Sequence, residues 1–210
     1  MAYPIPLTAT LSGATVDQLA YWRRATATHT PLLEPDAKRS GRYLYSWADV
    51  VALRSIVYLR QFRSLPRIRN AVQLLRALDP HEWRHLSAYK LRTTGTSIFV
   101  VTPDGTVLDI DTHAGTVMSE TLLADVLNDF VREDGRTVPQ FARPKAHVTI
   151  DPTVLGGYPV VSGTRVPYHV VAGLAEDGYT EAEIIELYPS VKPGTVADSR
   201  AFAQEVARAA

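Results

Sequence analysis

The most informative alternation of apolar and polar positions in the chain lies in residues 13–24. Thr15 is followed three residues later by Gln18, which is the spacing of a capping box, where each side chain bonds the backbone N–H of the other residue. Apolar side chains then recur at i, i+3 and i+4, as on the buried face of a helix: Val16, Leu19 and Ala20. A helix is therefore predicted to begin after Thr15. Its outward face carries Asp17, Gln18, Tyr21 and Arg24.

The same kind of pattern predicts the elements around this helix. Residues 7–12 are a candidate for a supporting helix, and residues 38–45 place basic side chains around Gly41 before an aromatic and aliphatic alternation, which indicates a β-hairpin. Ser46 and Asp49 form a second capping signal for a helix over residues 47–63. A further amphipathic helix follows Pro66 to about Leu78, with Arg67, Arg69 and Arg76 on its polar side.

Beyond residue 80 the pattern predicts a small sheet and then helices. Strands are expected over residues 87–92, 96–101 and 106–111, and a helix over residues 120–132 is expected to pack on them. Residues 136–145 contain Pro139 and Pro144 without a periodic pattern, which favours a linker. A short strand at residues 147–150 and helices at residues 168–176, 181–188 and 196–207 complete the chain.

Composition and charge add a division of the chain into two parts. The 210 residues are 46% hydrophobic, include no cysteine and have no net charge. Residues 1–92 nevertheless contain 14 of the 22 basic residues and six of the 22 acidic ones, a net charge of +8, so residues 93–210 carry −8. This separation of charge favours binding of a polyanion by residues 1–92, which we call the front part. The absence of an 18-residue apolar run and of a basic leader leads us to expect a cytoplasmic protein that does not enter a membrane.

The front part resembles winged helix-turn-helix proteins of the MerR type. The matching stretches are Gly-Ala-Thr at residues 13–15, Leu-Ala-Tyr-Trp at 19–22, Leu-Leu-Glu-Pro at 32–35, Gly-Arg-Tyr-Leu-Tyr-Ser at 41–46 and Asp-Val-Val-Ala-Leu at 49–53. One departure is Ala20, since these proteins often carry an arginine beside the tyrosine. The order and spacing of the stretches both agree with the family.

The resemblance implies a DNA-binding site in the front part. It implies that Gln18 and Tyr21 approach base edges, and that basic and aromatic side chains of the helix and hairpin hold phosphates. The full set of expected DNA-binding residues is Thr15, Gln18, Tyr21, Arg23, Arg24, Arg39, Arg42 and Tyr43. An ordinary amphipathic surface helix with solvated arginines is the alternative.

Residues 81–85, His-Glu-Trp-Arg-His, match a zinc-protease pattern. Two histidines one helical turn apart can bind zinc, and the glutamate between them can activate water. A working site needs a third ligand and a cleft, and only His113 or Glu120 lies within plausible reach downstream. A zinc peptidase using His81, Glu82 and His85 is therefore the remote alternative, and an exposed amphipathic helix is the ordinary interpretation.

The last third of the chain, residues 146–210, resembles the VapB-like antitoxin superfamily, and we call it the rear part. The resemblance rests on a strand, the pattern Gly-Gly-x-Pro-x-x-x-Gly-Thr-Arg-x-Pro, a helix, Gly-Tyr-Thr-x-x-Glu-Ile and a Tyr-Pro before the last helix. It implies a non-enzymatic antitoxin partner of a PIN-like ribonuclease toxin, with a three-helix, homeodomain-like form. The motif residues expected to serve the partner or the fold are Gly156, Gly157, Pro159, Gly163, Thr164, Arg165 and Pro167.

Charge favours a protein partner for this rear part. Residues 146–210 contain four basic and eight acidic side chains, a net charge of −4, which suits a protein better than phosphates. For Arg165 the alternative to a partner contact is a buried structural ion pair.

Together these patterns predict a mainly α (α+β) protein. Residues 1–80 are expected to form the winged helix-turn-helix, residues 81–135 a β-hairpin and helix for docking or dimerisation, residues 136–145 a linker, and residues 146–210 the antitoxin-like module. We expect a cytoplasmic, dimeric antitoxin that is not an enzyme, has no cofactor or metal, binds operator DNA to repress its own operon and sequesters a PIN-like toxin. The alternative is a MerR-like regulator without a toxin.

Overall fold

The computed structural model describes residues 2–26, 30–35, 37–39, 41–78, 90–94, 97–101, 107–109 and 122–210. These residues form an α+β structure in which helices pack with small antiparallel sheets. The predicted fold class is confirmed at this level.

The first half of the chain alternates helices with a small sheet. Its elements are β1 (Tyr3–Pro4), α1 (Ile5–Ser12), α2 (Val16–Trp22), β2 (Ala37–Arg39), β3 (Arg42–Tyr45), α3 (Trp47–Leu59) and α4 (Leu65–Leu78). The supporting helix, the hairpin and both capping boxes that the sequence predicts are present. Strand β1 was not predicted. It pairs with β3 through Tyr3 and Tyr45, and two residues are too few to give a periodic pattern.

The middle of the chain carries a three-stranded antiparallel sheet. Strand β4 (Lys90–Thr94) pairs with β5 (Ser97–Val101), which pairs with β6 (Val107–Asp109). The predicted strands overlap these three. The helix predicted over residues 120–132 is shorter: α5 (Leu122–Leu127) ends before β7 (Phe130–Val131), which pairs with β8 (Thr137–Val138). Gly135 has a φ of +79° in the turn between them, a conformation that favours glycine.

The rear half is helical apart from one small sheet. Strand β9 (Val148–Thr149) pairs with β10 (Val160–Val161), with a short 3₁₀ turn at Leu155–Gly157 between them. Helices α6 (Tyr168–Glu176), α7 (Glu181–Leu187) and α8 (Thr195–Arg208) follow, close to their predicted bounds. A third capping box, from Thr180 and Glu183, starts α7. Each helix of the described residues is too short or too polar to cross a lipid bilayer.

Residues 136–145 are not an exposed linker. Their first residues belong to the β7–β8 hairpin, and the side chains of Val138 and Phe141 are buried with those of α1 and α3. Phe141 also stands 6.1 Å from Trp47, centroid to centroid. The prolines and Gly135 that suggested a linker mark tight turns in a packed segment instead.

One continuous hydrophobic core joins the front and rear parts. It extends from Tyr3 and Leu7 through α3 to Val148, Tyr168 and Phe202. A smaller buried cluster lies within the rear part: Val161, Val171, Ile184 and Val191. The front and rear parts therefore share one large core, and the rear part has a smaller cluster of its own.

A buried arginine holds the centre of this core. Arg54 of α3 has no exposed surface. Its guanidinium donates to four backbone carbonyls: Leu11 at 2.6 Å, Asn128 at 2.6 Å, Pro139 at 2.8 Å and Val126. The group also lies 5.0 Å from the ring of Phe130. Burial lowers the pKa of Arg54 to about 9, partly offset by the charge of Asp129. The guanidinium therefore remains protonated at neutral pH and joins α1, α3 and the segment after α5.

Replacing Arg54 with methionine is expected to lower the free energy of unfolding by about 3 kcal/mol, because four buried carbonyls lose a donor that no apolar side chain can replace. Urea denaturation followed by circular dichroism measures the change. The matched control is Arg200→Met, at an exposed arginine of α8, which should stay within about 0.5 kcal/mol of the wild type. Equal stabilities of the two variants would contradict the role given to Arg54.

Candidate nucleic-acid interface

The turn between α1 and α2 fixes the position of α2. Gly13 ends α1 with a φ of +77°, and its N–H donates to the carbonyl of Ala9 at 2.9 Å. A Cβ at this glycine would lie 2.5 Å from Cγ2 of Val138, so β8 covers the turn closely. The carbonyl of Gly13 accepts a hydrogen bond from Nη1 of Arg132. The turn is thereby held by a side chain that comes from the β7–β8 hairpin region.

The capping box at the start of α2 uses two of the expected DNA-binding residues. Thr15 Oγ1 accepts from the N–H of Gln18 at 3.1 Å, and Gln18 Oε1 accepts from the N–H of Thr15 at 2.9 Å. The side chain of Gln18 is half-buried and lines a small cavity with Arg60 and Arg132. Gln18 therefore does not extend into solvent as the sequence pattern suggested, because its amide oxygen is committed to the helix start.

The remaining residues of α2 separate into a buried and an exposed face. Leu19 and Trp22 are buried, whereas Tyr21 is 48% exposed and Arg24 is exposed. Trp22 also fixes the chain after the helix, because its carbonyl accepts from the N–H of Leu32 at 2.7 Å. The outward side of α2 therefore presents an aromatic hydroxyl and a guanidinium at its C-terminal end.

The β2–β3 hairpin adds basic side chains beside this end of α2. Lys38 stands opposite Tyr43 in the antiparallel register, and Arg39 stands opposite Arg42. The guanidinium carbon of Arg23 lies 4.4 Å from the ring centroid of Tyr43, and Lys38 Nζ lies 5.0 Å from it. The cation–π contact of Arg23 joins the end of α2 to the hairpin, whereas that of Lys38 lies within the hairpin. Arg23 and Tyr43 are half-buried and act in this joint, while Arg39 and Arg42 are exposed.

Helix α4 contacts the exposed Tyr21 through the side chain of Arg69. Arg69 is only 7% exposed, although the sequence placed it on the polar side of its helix. Its guanidinium carbon lies 5.4 Å from the ring of Tyr21, and Nη1 donates to the carbonyl of Thr30 at 3.1 Å. The helical pattern of α4 could not reveal this burial, because the covering residues come from the connection after α2.

Four exposed cations, one directly after α2 and three in the hairpin, thus lie on connected segments: Arg24, Lys38, Arg39 and Arg42. The contact between Arg23 and the ring of Tyr43 holds the end of α2 against the hairpin. Guanidinium and ammonium groups in such an array bind phosphate oxygens, with affinity that falls as salt rises. The candidate zinc ligands His81 and His85, and Glu82, the candidate base that activates water, lie outside the described residues.

The glycine motif of the rear part contacts the front part directly. Gly157 has a φ of +82°, and its carbonyl accepts a hydrogen bond from the hydroxyl of Tyr3. A Cβ on Gly157 would lie 2.5 Å from Cδ1 of Trp47 and 2.9 Å from the Tyr3 hydroxyl. Burial raises the pKa of Tyr3 above its usual range, with a smaller contribution from Tyr158. Gly157 therefore allows the close approach of the two parts.

The other motif residues build the turn from β10 to α6. Thr164 Oγ1 donates to the carbonyl of Val161 and accepts from the N–H of Val166, both at 3.0 Å. Gly163 has a φ of +76° in this turn, and Pro167 is the N-cap of α6. The carbonyl of Pro159 accepts from the N–H of Tyr168 at 3.2 Å. Most of the motif is therefore structural, and Gly156 shares this role with a φ of +63° in the 3₁₀ turn.

Arg165 is the motif residue that remains available to a partner. Its side chain is exposed and forms no ion pair with the described residues. A buried structural ion pair, the alternative that the sequence left open for it, does not occur within that part of the chain.

The rear surface near α7 is acidic and partly apolar. Its exposed carboxylates lie at the end of α6 and along α7: Glu176, Asp177, Glu183 and Glu186. Two large hydrophobic side chains are exposed beside them, Tyr179 at 45% and Leu187 at 55%. We call this the α7 surface. Acidic groups around exposed apolar side chains are suited to a basic protein partner.

Comparisons with known proteins give similarities over part or all of the chain. A family described as a protein of unknown function (DUF433) matches residues 148–203. An uncharacterised protein, y4eO of Sinorhizobium fredii (strain NBRC 101917 / NGR234), is 37% identical over 76 residues, which are 36% of this chain and 34% of that protein. The match thus spans about a third of the curated relative.

The solved structure of Rv2018 from Mycobacterium tuberculosis resembles the fold of nearly the whole chain. The likeness covers 94% of this chain and 96% of that one, with a TM-score of 0.52 and 16% sequence identity. At this identity the likeness concerns the fold alone. It extends over the front and rear parts together, in agreement with their shared core.

Replacing Gly157 with alanine is expected to lower the free energy of unfolding by about 3 kcal/mol. The loss has two causes: alanine is strained in the left-handed backbone conformation, and its Cβ would clash with Trp47 and Tyr3. Gly163→Ala is the matched control, since Gly163 also has a positive φ but its Cβ would meet no atom within 4 Å. The control should cost about 1 kcal/mol. Thermal or urea denaturation measures both, and equal losses would show that contact with Trp47 and Tyr3 is unimportant.

Proposed function

We propose that this protein is a DNA-binding antitoxin. In this proposal α1, α2 and the β2–β3 hairpin act as a MerR-like winged helix-turn-helix that binds operator DNA and represses its own operon as a dimer. The rear part sequesters a PIN-like ribonuclease toxin. The observation that carries the proposal is the array of exposed cations on α2 and the hairpin, in the order of elements that winged helix-turn-helix proteins use.

In the proposed DNA complex, different residues contact the base edges and the phosphates. Helix α2 enters the major groove with Tyr21 on its exposed face, while Arg24, Arg39 and Arg42 bind phosphates on either side. Gln18 retains its amide nitrogen as a donor, because only its oxygen is used by the capping box. Arg23 and Tyr43 keep the hairpin at a fixed distance from α2, so their contribution is to position the cations.

The proposed toxin contact uses the acidic α7 surface. A ribonuclease must attract the phosphates of RNA, so its active-site surroundings carry positive charge. Exposed carboxylates beside Tyr179 and Leu187 can pair with those cations and bury apolar area in the same interface. Helices α6, α7 and α8 then serve as the homeodomain-like support of this surface, with Arg165 exposed on the turn before α6.

A MerR-like regulator without a toxin is the second candidate. The shared core favours it, because a ligand held by the rear part contacts elements that also support α2. The two candidates make the same prediction for DNA and opposite predictions for a protein partner. The partner experiment below therefore separates them.

Replacing both Arg39 and Arg42 with alanine is expected to weaken DNA binding and to reduce its salt dependence by about 0.9 log unit per log unit of salt for each lost phosphate contact. Fluorescence anisotropy with a duplex from directly upstream of the gene measures both quantities. Arg200→Ala, at an exposed arginine of α8, is the control and should bind as the wild type does. An unchanged affinity and salt slope in the double variant would contradict the proposed site.

Co-expression with the product of the adjacent gene tests the antitoxin role. A stable complex and relief of growth arrest are expected, and reversing two charges with Glu176→Lys and Glu186→Lys should weaken the complex at least tenfold, because the α7 surface then repels a basic partner. Glu34→Lys, an exposed carboxylate of the front part, is the control. No complex and no relief would reject the antitoxin role and leave the regulator.

A further inference from the structure

A groove of about 360 Å³ lies between the front part, the β7–β8 hairpin and the end of α8. Thr10 and Gly13 form one wall, Val138 of the hairpin forms another, and three arginines line it: Arg132, Arg136 and Arg208. Its volume is in the range of sites that bind small molecules. The lining includes Gly13 and Ala14 of the turn that precedes α2, and it does not include the exposed cations of the proposed DNA site.

Arg132, which lines this groove, is held by two side-chain contacts. Nη1 donates to the carbonyl of Gly13, and Nη2 stands 3.4 Å from Oδ2 of Asp134. Only 15% of its side chain is exposed, and burial lowers its pKa from the ordinary value. Asp134 and Glu133 oppose this shift of the pKa, and the charge of Arg136 adds to it. A bound anion would oppose the shift further.

The other charges of the groove leave it positive. Asp134 is shared, since it also accepts from Arg136 at 2.6 Å, and Glu205 is paired with Lys145 at 2.5 Å. The described charged groups at the groove and their charged neighbours thus comprise four cations and three carboxylates: Arg132, Arg136, Arg208 and Lys145, with Glu133, Asp134 and Glu205. Arg208 is exposed and forms no ion pair with residues of the described ranges. Its guanidinium is available to a ligand.

The lining between these cations combines apolar and hydroxyl side chains. The apolar ones are Ala9, Ala14, Val138, Pro139 and Ala209, and Thr10 and Thr137 add hydroxyl groups. A molecule that fits such a surface has an apolar body and one oxyanion, because guanidinium groups bind carboxylate or phosphate through two parallel hydrogen bonds. An inorganic ion alone would leave the apolar part of this lining uncovered.

We infer that the groove is a binding site for a small organic anion with an apolar body, held by Arg132, Arg136 and Arg208. The ligand lies against Gly13 and Ala14, the turn that fixes the start of α2. Occupation of the groove therefore contacts the segment that orients the proposed DNA-binding helix. The site itself does not depend on the proposed function, because a ligand can be measured without DNA or a protein partner.

Calorimetric titration with benzoate, phenyl phosphate and neutral benzamide, at constant ionic strength, tests the inference on the full chain. Saturable binding of benzoate or phenyl phosphate is expected, and the stronger of the two identifies a carboxylate or a phosphate ligand. Benzamide has the same ring without the charge and should bind at least tenfold more weakly. Absence of saturable binding by both anions, or equal binding of benzamide, would overturn the inference.

The double variant Arg136→Gln and Arg208→Gln is expected to weaken anion binding at least tenfold. Both side chains are exposed, so the fold should persist, and thermal denaturation verifies this. Arg200→Gln is the matched control, because Arg200 lies on the same helix as Arg208 without lining the groove. Equal anion affinity of the double variant and the control would reject the site.

Discussion

The hydrogen bonds of the Arg54 guanidinium join three distant parts of the chain. A buried guanidinium is costly unless its donors are satisfied, and here backbone carbonyls satisfy them in place of a carboxylate. The carbonyls of Leu11, Val126 and Pro139 must therefore converge on one point. This requirement sets α1 against α3 and brings the β7–β8 hairpin onto the turn at Gly13. The orientation of α2 follows from that turn.

The elements that the sequence predicted well depend on neighbours in the chain. The capping boxes at Thr15 and Ser46 occur where the spacing of polar residues indicated them, because each bond joins residues three apart, and the box at Thr180 has the same spacing. The hairpin around Gly41 was predictable for the same reason. Local chemistry therefore located most of the helices and the hairpin that carries the exposed cations.

The elements that the sequence did not predict depend on long-range packing. Arg69 was predicted on the polar side of its helix and Arg54 was not singled out, yet both are buried and bond to segments more than 30 residues away. The prolines of residues 136–145 suggested a linker, but the side chain of Phe141 in this segment is buried in the core. Within the candidate site, the exposure of Arg39 and Arg42 was predictable from the hairpin. The contact of Arg23 with Tyr43 was not, because it joins two elements.

The core shared by the front and rear parts has a consequence for how the molecule responds to its surroundings. Domains without separate cores unfold as a single cooperative unit, so the amide protons of α2 and α8 should exchange through the same global opening. Any ligand that binds only the folded chain raises the free energy of that opening everywhere. A molecule bound on the rear surface would therefore slow proteolysis in the front part without touching it. Protection from degradation then becomes a property of the whole chain, governed by the occupancy of any one of its surfaces.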